Sequence, residues 1–184
     1  MVTTIPETAT RTTWAIDPAH TLVEFSAKHM MISTVKGRFT EVEGAIRGDL
    51  SEPQNAAVDI TIGAASIDSR NDQRDAHLRS VDFLDAENFP TLQFVSKAIV
   101  PRGDNEYRVI GDLTLRGVTR EVTLDATLEG TAKSPWGTEV VGISASGKIN
   151  RSDFGLTWNV VLETGGVVVS DAVKIAIELE AVKQ

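Results

Sequence analysis

Residues 111–130 read GDLTLRGVTREVTLDATLEG, and this stretch decides the fold of the 184-residue chain. On both sides of Arg116-Gly117, apolar residues alternate with polar ones at every second position. Because successive side chains of a β-strand point to opposite faces, this alternation indicates two strands, each with one apolar and one polar face. The link between them is short, and Gly117 is free to take the positive φ of a tight turn, so an antiparallel hairpin is predicted.

The same alternation recurs before and after the hairpin and predicts further strands. Their apolar faces carry Trp14 and Ile16; Val23, Phe25 and Ala27; Val42, Gly44, Ile46 and Leu50; Val58, Ile60 and Ile62; Leu92, Phe94, Ser96 and Ala98; Val141, Ile143, Ala145 and Ile149; and Val173, Ile175, Ile177 and Leu179. Antiparallel strands that follow one another through turns, about eight in all, predict a sandwich or a closed barrel. Long strands that contain glycine favour the barrel, because closure leaves no exposed edge.

Residues around 70–89 interrupt the strand pattern. Segment 72–80, DQRDAHLRS, has no period of two and is rich in helix-forming residues, and Asn71 or Asp72 is a suitable N-cap. Phe89-Pro90 ends the segment, because proline disfavours helix in the residue before it. We therefore expect a short helical insertion in an all-β chain. The side chains expected to dock it onto the sheet are those of Leu78, Val81 and Phe83.

The composition is that of a soluble globular protein with one domain: 41% of the residues are hydrophobic and 24% are charged. Residues 1–12 are predicted to be a flexible N-terminal tail, and 13–184 the barrel. No apolar run reaches the ~20 residues of a membrane helix, so no integral membrane segment is expected. The N-terminus lacks the basic start and apolar core of a secretory signal. We therefore expect a cytoplasmic protein, or a periplasmic or secreted one if the given sequence was trimmed.

Charge and motif content exclude several functions. The 26 acidic and 18 basic residues give a net charge of −8, which disfavours binding to nucleic acid. The chain has no cysteine, so disulfides, thiolate catalysis and thiolate-ligated metals are excluded. Neither a glycine-rich phosphate loop nor a nucleophile elbow occurs. These features do not favour an enzyme, and no cofactor is expected.

The apolar faces consist mostly of aliphatic residues and glycine, and aromatic residues are only 5% of the chain. The interior of an eight-stranded barrel is either filled by side chains or able to hold one small ligand. Small inward residues leave volume, and a narrow apolar space suits a long apolar molecule. The alternative is an interior plugged by bulky residues of the helical insertion.

The three histidines give weak candidates for chemistry. His20 and His29 are nine residues apart, so an unbroken strand would direct them to opposite faces, and no shared metal site is expected. His77, near Asp72 and Asp75, could act as a general base with orienting carboxylates. The commoner alternative for such a cluster is a charged, capped turn. For His29 the alternative is a residue of the strand edge or core.

Three arginines lie in the same segment as His77. Arg70, Arg74 and Arg79 could meet an anionic head group, because guanidinium pairs well with phosphate. The favoured alternative is ion pairing with neighbouring carboxylates. These carboxylates are those of Asp72, Asp75, Asp82 and Asp85.

Short motifs in a fixed order identify a family. They are WAIDPAH at 14–20, VEF at 23–25, KHM at 28–30, GRF at 37–39, SID at 66–68, RDAHLRS at 74–80, DFLD at 82–85, FP at 89–90, GDLTLRGVTR at 111–120, NRSDFGL at 150–156 and DAV at 171–173. With these motifs the chain resembles the YceI-like family of polyisoprenoid-binding, lipocalin-like proteins. The resemblance implies an extended eight-stranded antiparallel barrel around a hydrophobic channel, without catalytic residues.

The resemblance also implies a function. The expected activity is noncovalent binding, storage or transport of a long-chain isoprenoid lipid, a polyprenyl chain with a quinone or diphosphate head, by a monomer or a homodimer. Candidate lining residues are Phe25, Met30, Phe39, Ile60, Phe94, Leu113, Leu115, Leu124, Ile143 and Ile175; candidates for the head group are His29, Arg74 and His77. The alternatives are an interaction module with a filled barrel and an enzyme of isoprenoid metabolism.

Overall fold

The structure of the protein is a computed structural model and describes residues 11–184. The strands are β1 (Thr13–Ile16), β2 (Leu22–His29), β3 (Ser33–Phe39), β4 (Val42–Arg47), β5 (Ala57–Gly63), β6 (Ile67–Asp68), β7 (Thr91–Gly103), β8 (Glu106–Leu115), β9 (Val118–Lys133), β10 (Glu139–Asn150) and β11 (Val169–Lys183). Helix α1 spans Asp72–Arg79. Short 3₁₀ turns lie at Pro18–His20, Pro53–Asn55, Ala64–Ser66 and Arg151–Phe154.

These strands form one antiparallel sheet that closes on itself. The closed path runs β1-β4-β5-β7-β8-β9-β10-β11, and β11 returns to β1 through the pair Ile16–Ala181. Strands β1 and β2 follow one another along the same edge of β11. On their other side, β2 pairs with β3 and β1 pairs with β4. Counting each interrupted pair as one strand gives eight barrel strands, each beside its neighbour in sequence, and the two-residue β6, which follows β5, adds the pair Ile67–Phe39 with β3. The predicted eight-stranded antiparallel barrel is therefore confirmed.

Both interrupted strands have a local cause. Pro18 begins a 3₁₀ turn between β1 and β2, and the Asp17 side chain accepts a hydrogen bond from the Ala19 amide at 2.9 Å. Between β3 and β4, the Ser66 hydroxyl accepts hydrogen bonds from the amides of Thr40 and Glu41, both at 3.1 Å. Side chains thus take the place of a strand neighbour, as buried backbone groups require.

The hairpin at the centre of the sequence has the predicted form. Leu115 and Val118 are paired, and between them Arg116 and Gly117 have φ values of +50° and +71°. Two successive positive φ values define a type I′ turn, whose twist matches that of the strands. The Arg116 guanidinium donates to the carbonyl of Phe83 at 3.2 Å, which fastens the hairpin to the insertion.

The helical insertion is also confirmed. Asn71 caps α1, since its side chain accepts a hydrogen bond from the Arg74 amide at 2.9 Å. Phe83, which follows the helix, is buried among residues of the barrel, and Leu78 of α1 packs against the same group. The expectation that Val81 docks the segment is wrong: its side chain is 64% exposed, because the chain turns at Ser80 and directs it outward.

A β-bulge in β7 overturns one part of the predicted alternation. The register with β8 shifts between Ser96 and Ala98. Ala98 is consequently exposed, and the next residue, Ile99, faces the interior. An extra residue in one strand reverses the faces that follow it. The sequence pattern does not show this, because both residues are apolar.

The sequence predicts that the N-terminal tail ends at Thr12 and that the barrel begins at the next residue. Residues 1–10 lie outside the described residues. The Thr12 carbonyl accepts a hydrogen bond from the Gly48 amide at 2.8 Å, so the chain joins the barrel just before β1.

We predict that Gly44→Ala destabilises the barrel far more than Gly130→Ala. Both glycines have nearly the same φ, +147° and +146°, so the conformational strain of a side chain is matched. A Cβ at Gly44 would fall on the Asp59 carbonyl oxygen and lie 2.9 Å from the Ile60 Cα, whereas no heavy atom lies within 4 Å at Gly130. The free energy of unfolding in urea should differ by about 2 kcal/mol or more. Equal losses would contradict the described packing of β4 on β5.

Candidate functional site

The barrel encloses an apolar cavity of about 300 Å³. Its surface is formed by apolar atoms contributed from all parts of the barrel wall. On β11 the lining residues extend from Val169 to Leu179, which corresponds to about 25 Å along the axis of a barrel with tilted strands. The cavity is therefore long and narrow, and an apolar chain would fit it better than a compact polar molecule.

Small side chains keep the middle of the barrel open. Ala126 of β9 lies opposite Tyr107 of β8 on one side and Ala145 of β10 on the other, and Ala145 lies opposite Ile177 of β11. All four line the cavity. Two neighbouring strands thus contribute only methyl groups at this level. Side chains of the insertion, among them Leu78 and Phe83, form part of the wall and do not fill the cavity.

The structure brings together nine of the ten predicted lining residues. They are Phe25, Phe39, Ile60, Phe94, Leu113, Leu115, Leu124, Ile143 and Ile175. Met30 is not among them: it follows the end of β2, has a φ of +50° and is 38% exposed. The alternation that placed it inside ends with the strand. That the nine bind a ligand stays a prediction.

Other lining residues were not singled out from the sequence. Several belong to the same alternating faces, among them Val23, Val58, Val109, Val122, Ala145, Val173 and Ile177, and the pattern was sufficient to find them. Leu84 comes from the insertion, Arg151 and Leu156 from the segment after β10, and Ile67 from the two-residue strand β6. Periodicity gives no signal for them, because only the fold brings these segments to the end of the barrel.

His77 has a different partner from the one expected. Its Nε2 lies 2.8 Å from Asp82 Oδ2, and its ring packs edge-on against Phe83 and Trp158, with centroid distances of 5.0 and 4.7 Å. Asp75, one of the expected partners, instead accepts hydrogen bonds from the amide and hydroxyl of Ser69. The alternative of a packed, charged turn fits this geometry, and His77 does not line the cavity.

The arginines of the insertion bind main-chain carbonyls. Arg74 donates to the hydroxyl and carbonyl oxygens of Ser69, at 2.7 and 2.8 Å. Arg79 donates to the carbonyls of Ala65 and Ile67, at 2.8 and 2.9 Å. The favoured expectation of ion pairs with nearby aspartates is wrong, since within residues 11–184 no carboxylate lies within 4.0 Å of these two guanidinium groups. Carbonyls of irregular backbone need donors, and these arginines supply them.

The other two histidines lie apart, as expected. His20 Nδ1 is 2.8 Å from Asp17 Oδ2 and 3.8 Å from Glu180 Oε1, on the exterior. The hydrogen bond to Asp17 raises the pKa of His20 and lowers that of the Asp17 carboxyl. His29 lies at the far end of β2, opposite Val169 and Ser33. Neither ring lines the cavity.

Arg151 is a buried cation that the sequence candidates did not include. It is 5% exposed and donates to the carbonyls of Ser170, Leu156 and Val169, at 3.0, 2.8 and 3.4 Å. Burial lowers its pKa. The guanidinium also lies 5.9 Å from the centroid of the Phe83 ring. It connects the turn after β10 with the first residues of β11, and so supports one end of the cavity.

Helices long and apolar enough to cross a membrane were not found in residues 11–184.

Comparisons with known proteins agree with this architecture. The sequence profile of the YceI-like domain matches residues 14–181. A UPF0312 protein of Staphylococcus aureus (strain MSSA476) is 38% identical over 170 residues, which cover 92% of this chain and 96% of that protein. The crystal structure of BcnA from Burkholderia cenocepacia is 27% identical with a TM-score of 0.79, covering 90% of this chain and 99% of that one.

A third comparison concerns the fold alone. A structure described as a polyisoprenoid binding domain from Saccharophagus degradans, implicated in plant cell wall breakdown, superposes with a TM-score of 0.66. It covers 93% of this chain and 98% of its own, with 14% sequence identity. At this identity the likeness establishes the shared architecture.

We predict that His77→Ala lowers the free energy of unfolding by about 1–2 kcal/mol, because it removes two aromatic contacts and a hydrogen bond. His29→Ala is the control, since His29 has neither aromatic contact nor side-chain hydrogen bond within the described chain. Urea denaturation of both variants at neutral pH measures the difference. A loss from His77→Ala no greater than that of the control would show that the ring does not hold the insertion in place.

The pair of His20 and Asp17 predicts a pH effect. The pKa of His20 is raised in the folded state, so the stability that this pair contributes is present below the unfolded value of 6.5 and is lost as the pH rises through the folded value. Asp17→Asn should lower the pKa of His20 towards 6.5, as measured by titration of the ring protons by NMR. An unchanged midpoint would contradict the contact; the His77 resonance serves as the internal reference.

Proposed function

The chain belongs to the YceI-like domain family, and from this premise we propose that its barrel binds a long-chain isoprenoid lipid noncovalently, for storage or transport. The observation that carries the proposal is the long apolar cavity. The chain of such a lipid would lie along the barrel axis, between the levels of Val169 and Leu179 on β11. No bond to the protein is formed or broken.

The chemistry of the wall selects the class of ligand. A prenyl chain has no hydrogen-bonding groups, so it loses no partners when it leaves water for a wall of aliphatic side chains. A polar ligand would lose its hydration without compensation. Burial of an apolar chain contributes about 25 cal/mol per Å² of surface removed from water, so its length can supply the affinity. The fold shared with the polyisoprenoid binding domain supports the same class.

Recognition of a head group, whether quinone or diphosphate, has less structural support than binding of the prenyl chain. His29, Arg74 and His77, the residues proposed for it from the sequence, all lie outside the cavity wall. Arg151 contributes to the wall, but its guanidinium already donates to three carbonyls. We therefore assign recognition to the chain of the lipid.

Binding is favoured over the two alternatives. An interaction module was expected to have a filled barrel, whereas Ala126 and Ala145 leave the interior open. An enzyme would need acid, base or nucleophile at the ligand. The three histidines lie outside the wall, and its described surface offers apolar atoms. The positions of the histidines and the apolar surface of the wall therefore both disfavour chemistry on a bound chain.

The test fills the cavity from within. Ala126→Trp places an indole in the middle of the barrel, and we expect it to lower the uptake of a prenyl lipid at least about tenfold, because the chain and the ring compete for the same volume. Uptake is measured by native mass spectrometry, after lipid extraction and addition of polyprenols of several lengths.

Thr123→Trp is the matched control, because Thr123 lies on the same strand with its side chain exposed. It should bind as the unaltered chain does. Circular dichroism and thermal unfolding show whether both variants are folded. If the folded Ala126→Trp variant takes up lipid normally, or if the unaltered chain takes up none, the proposal is wrong.

A further inference from the structure

Two adjacent loops at one end of the barrel expose large apolar side chains. We call this group the apolar rim: Met30, Met31, Ile32, Val160 and Val161, exposed by 38, 57, 81, 48 and 78%. The loops are joined through the backbone, because the Met30 amide donates to the Val168 carbonyl at 2.8 Å and the Val168 amide donates to the Val160 carbonyl at 3.0 Å. The two loops that carry the rim side chains are thus held side by side.

Such a cluster is unlike the other exposed apolar residues of the described chain. Val95 and Val100 lie singly on β7, and Val81 lies singly in the helical insertion. Trp136 lies in the turn between β9 and β10, at the opposite end of the barrel. Isolated apolar residues are normal on protein surfaces, whereas a contiguous group marks a site of interaction. The rim therefore requires a partner.

The charges beside the rim indicate what this partner is. Residues 28–38 contain three basic residues and no acidic one, in a chain whose net charge is −8. Lys28 and Lys36 are exposed, and within residues 11–184 neither has a carboxylate within 4.0 Å. The Lys28 ammonium group donates to the Thr34 hydroxyl at 2.9 Å. In the other loop, residues 157–168, Glu163 is the one acidic residue.

The rim is also continuous with the cavity wall. His29, which precedes it, lies opposite Val169 in the sheet, and Val169 lines the cavity. Val168, which holds Met30 through its carbonyl, is the residue before. A surface seated on the rim would therefore lie beside the end of the apolar space.

We infer that the apolar rim docks on the surface of a bilayer that contains anionic phospholipid. The rim side chains enter the boundary between head groups and acyl chains, and Lys28 and Lys36 contact the anionic head groups. A second copy of the chain fits less well. A symmetric interface through the rim would bring Lys28 and Lys36 of both copies together, and Glu163 is the one carboxylate that the rim loops of each copy offer to neutralise them.

The test uses the full chain and extruded vesicles. We expect the chain to float with vesicles that contain about 30% phosphatidylglycerol and to bind phosphatidylcholine vesicles more weakly. The double variant Ile32→Ser/Val161→Ser should lower the bound fraction about tenfold, and Lys28→Ser/Lys36→Ser should abolish the preference for anionic vesicles. Trp136→Ser, which removes the exposed aromatic residue at the opposite end, should bind as the unaltered chain does.

Several results would overturn the inference. One is a lack of binding to anionic vesicles. A second is that the Ile32→Ser/Val161→Ser variant, once circular dichroism shows that it is folded, binds as much as the unaltered chain. A third is loss of binding in Trp136→Ser alone. A dimer in sedimentation that Ile32→Ser/Val161→Ser abolishes, without vesicle binding, would assign the rim to a second copy. Vesicle docking does not need an occupied cavity, so the Ala126→Trp variant should still bind vesicles. A failure of the proposed lipid uptake can therefore be distinguished from a failure of vesicle docking.

Discussion

Closure of the sheet, through the pairing of β1 with β11, is the constraint on which the rest of the structure depends. A closed sheet has no open edge strand, so each strand of the closed path pairs with two neighbours. Closure at eight strands also fixes the internal diameter, which side chains can either fill or leave partly open. In this chain Ala126 and Ala145 meet on neighbouring strands, and the interior stays open.

The irregular segments at one end of the barrel solve a second problem, that of carbonyl groups without a sheet partner. Arg79, Arg116 and Arg151 each donate to main-chain carbonyls of these segments. Arg74 and Arg79, which the sequence offers for binding an anionic ligand, are thus used to hold the backbone. The buried charge of Arg151 is supported by three carbonyls and by the face of Phe83.

Polar side-chain pairs and the apolar cavity wall are consequently separated in space. The cavity wall is apolar, whereas the histidine–carboxylate pairs of His20 and His77 lie outside it. A protein that takes up an apolar chain needs such a separation, because polar groups in the wall would lose their hydration. In our proposal, the exposed apolar rim beside the end of the cavity gives such a molecule a route out of a bilayer without crossing water.

The sequence alone determined most strand faces and the Arg116-Gly117 turn, and it limited the cap of α1 to Asn71 or Asp72, because each depends on residues close in the chain. It did not determine where the faces change. Met30 and Ala98 were placed inside, but a strand end and a bulge turn them outward. Only the tertiary structure decided that Arg116 binds the carbonyl of Phe83, that Arg151 binds the carbonyl of Ser170, and that His77 meets Trp158. These partners are distant in sequence, and periodicity carries no information about contacts that closure of the barrel creates.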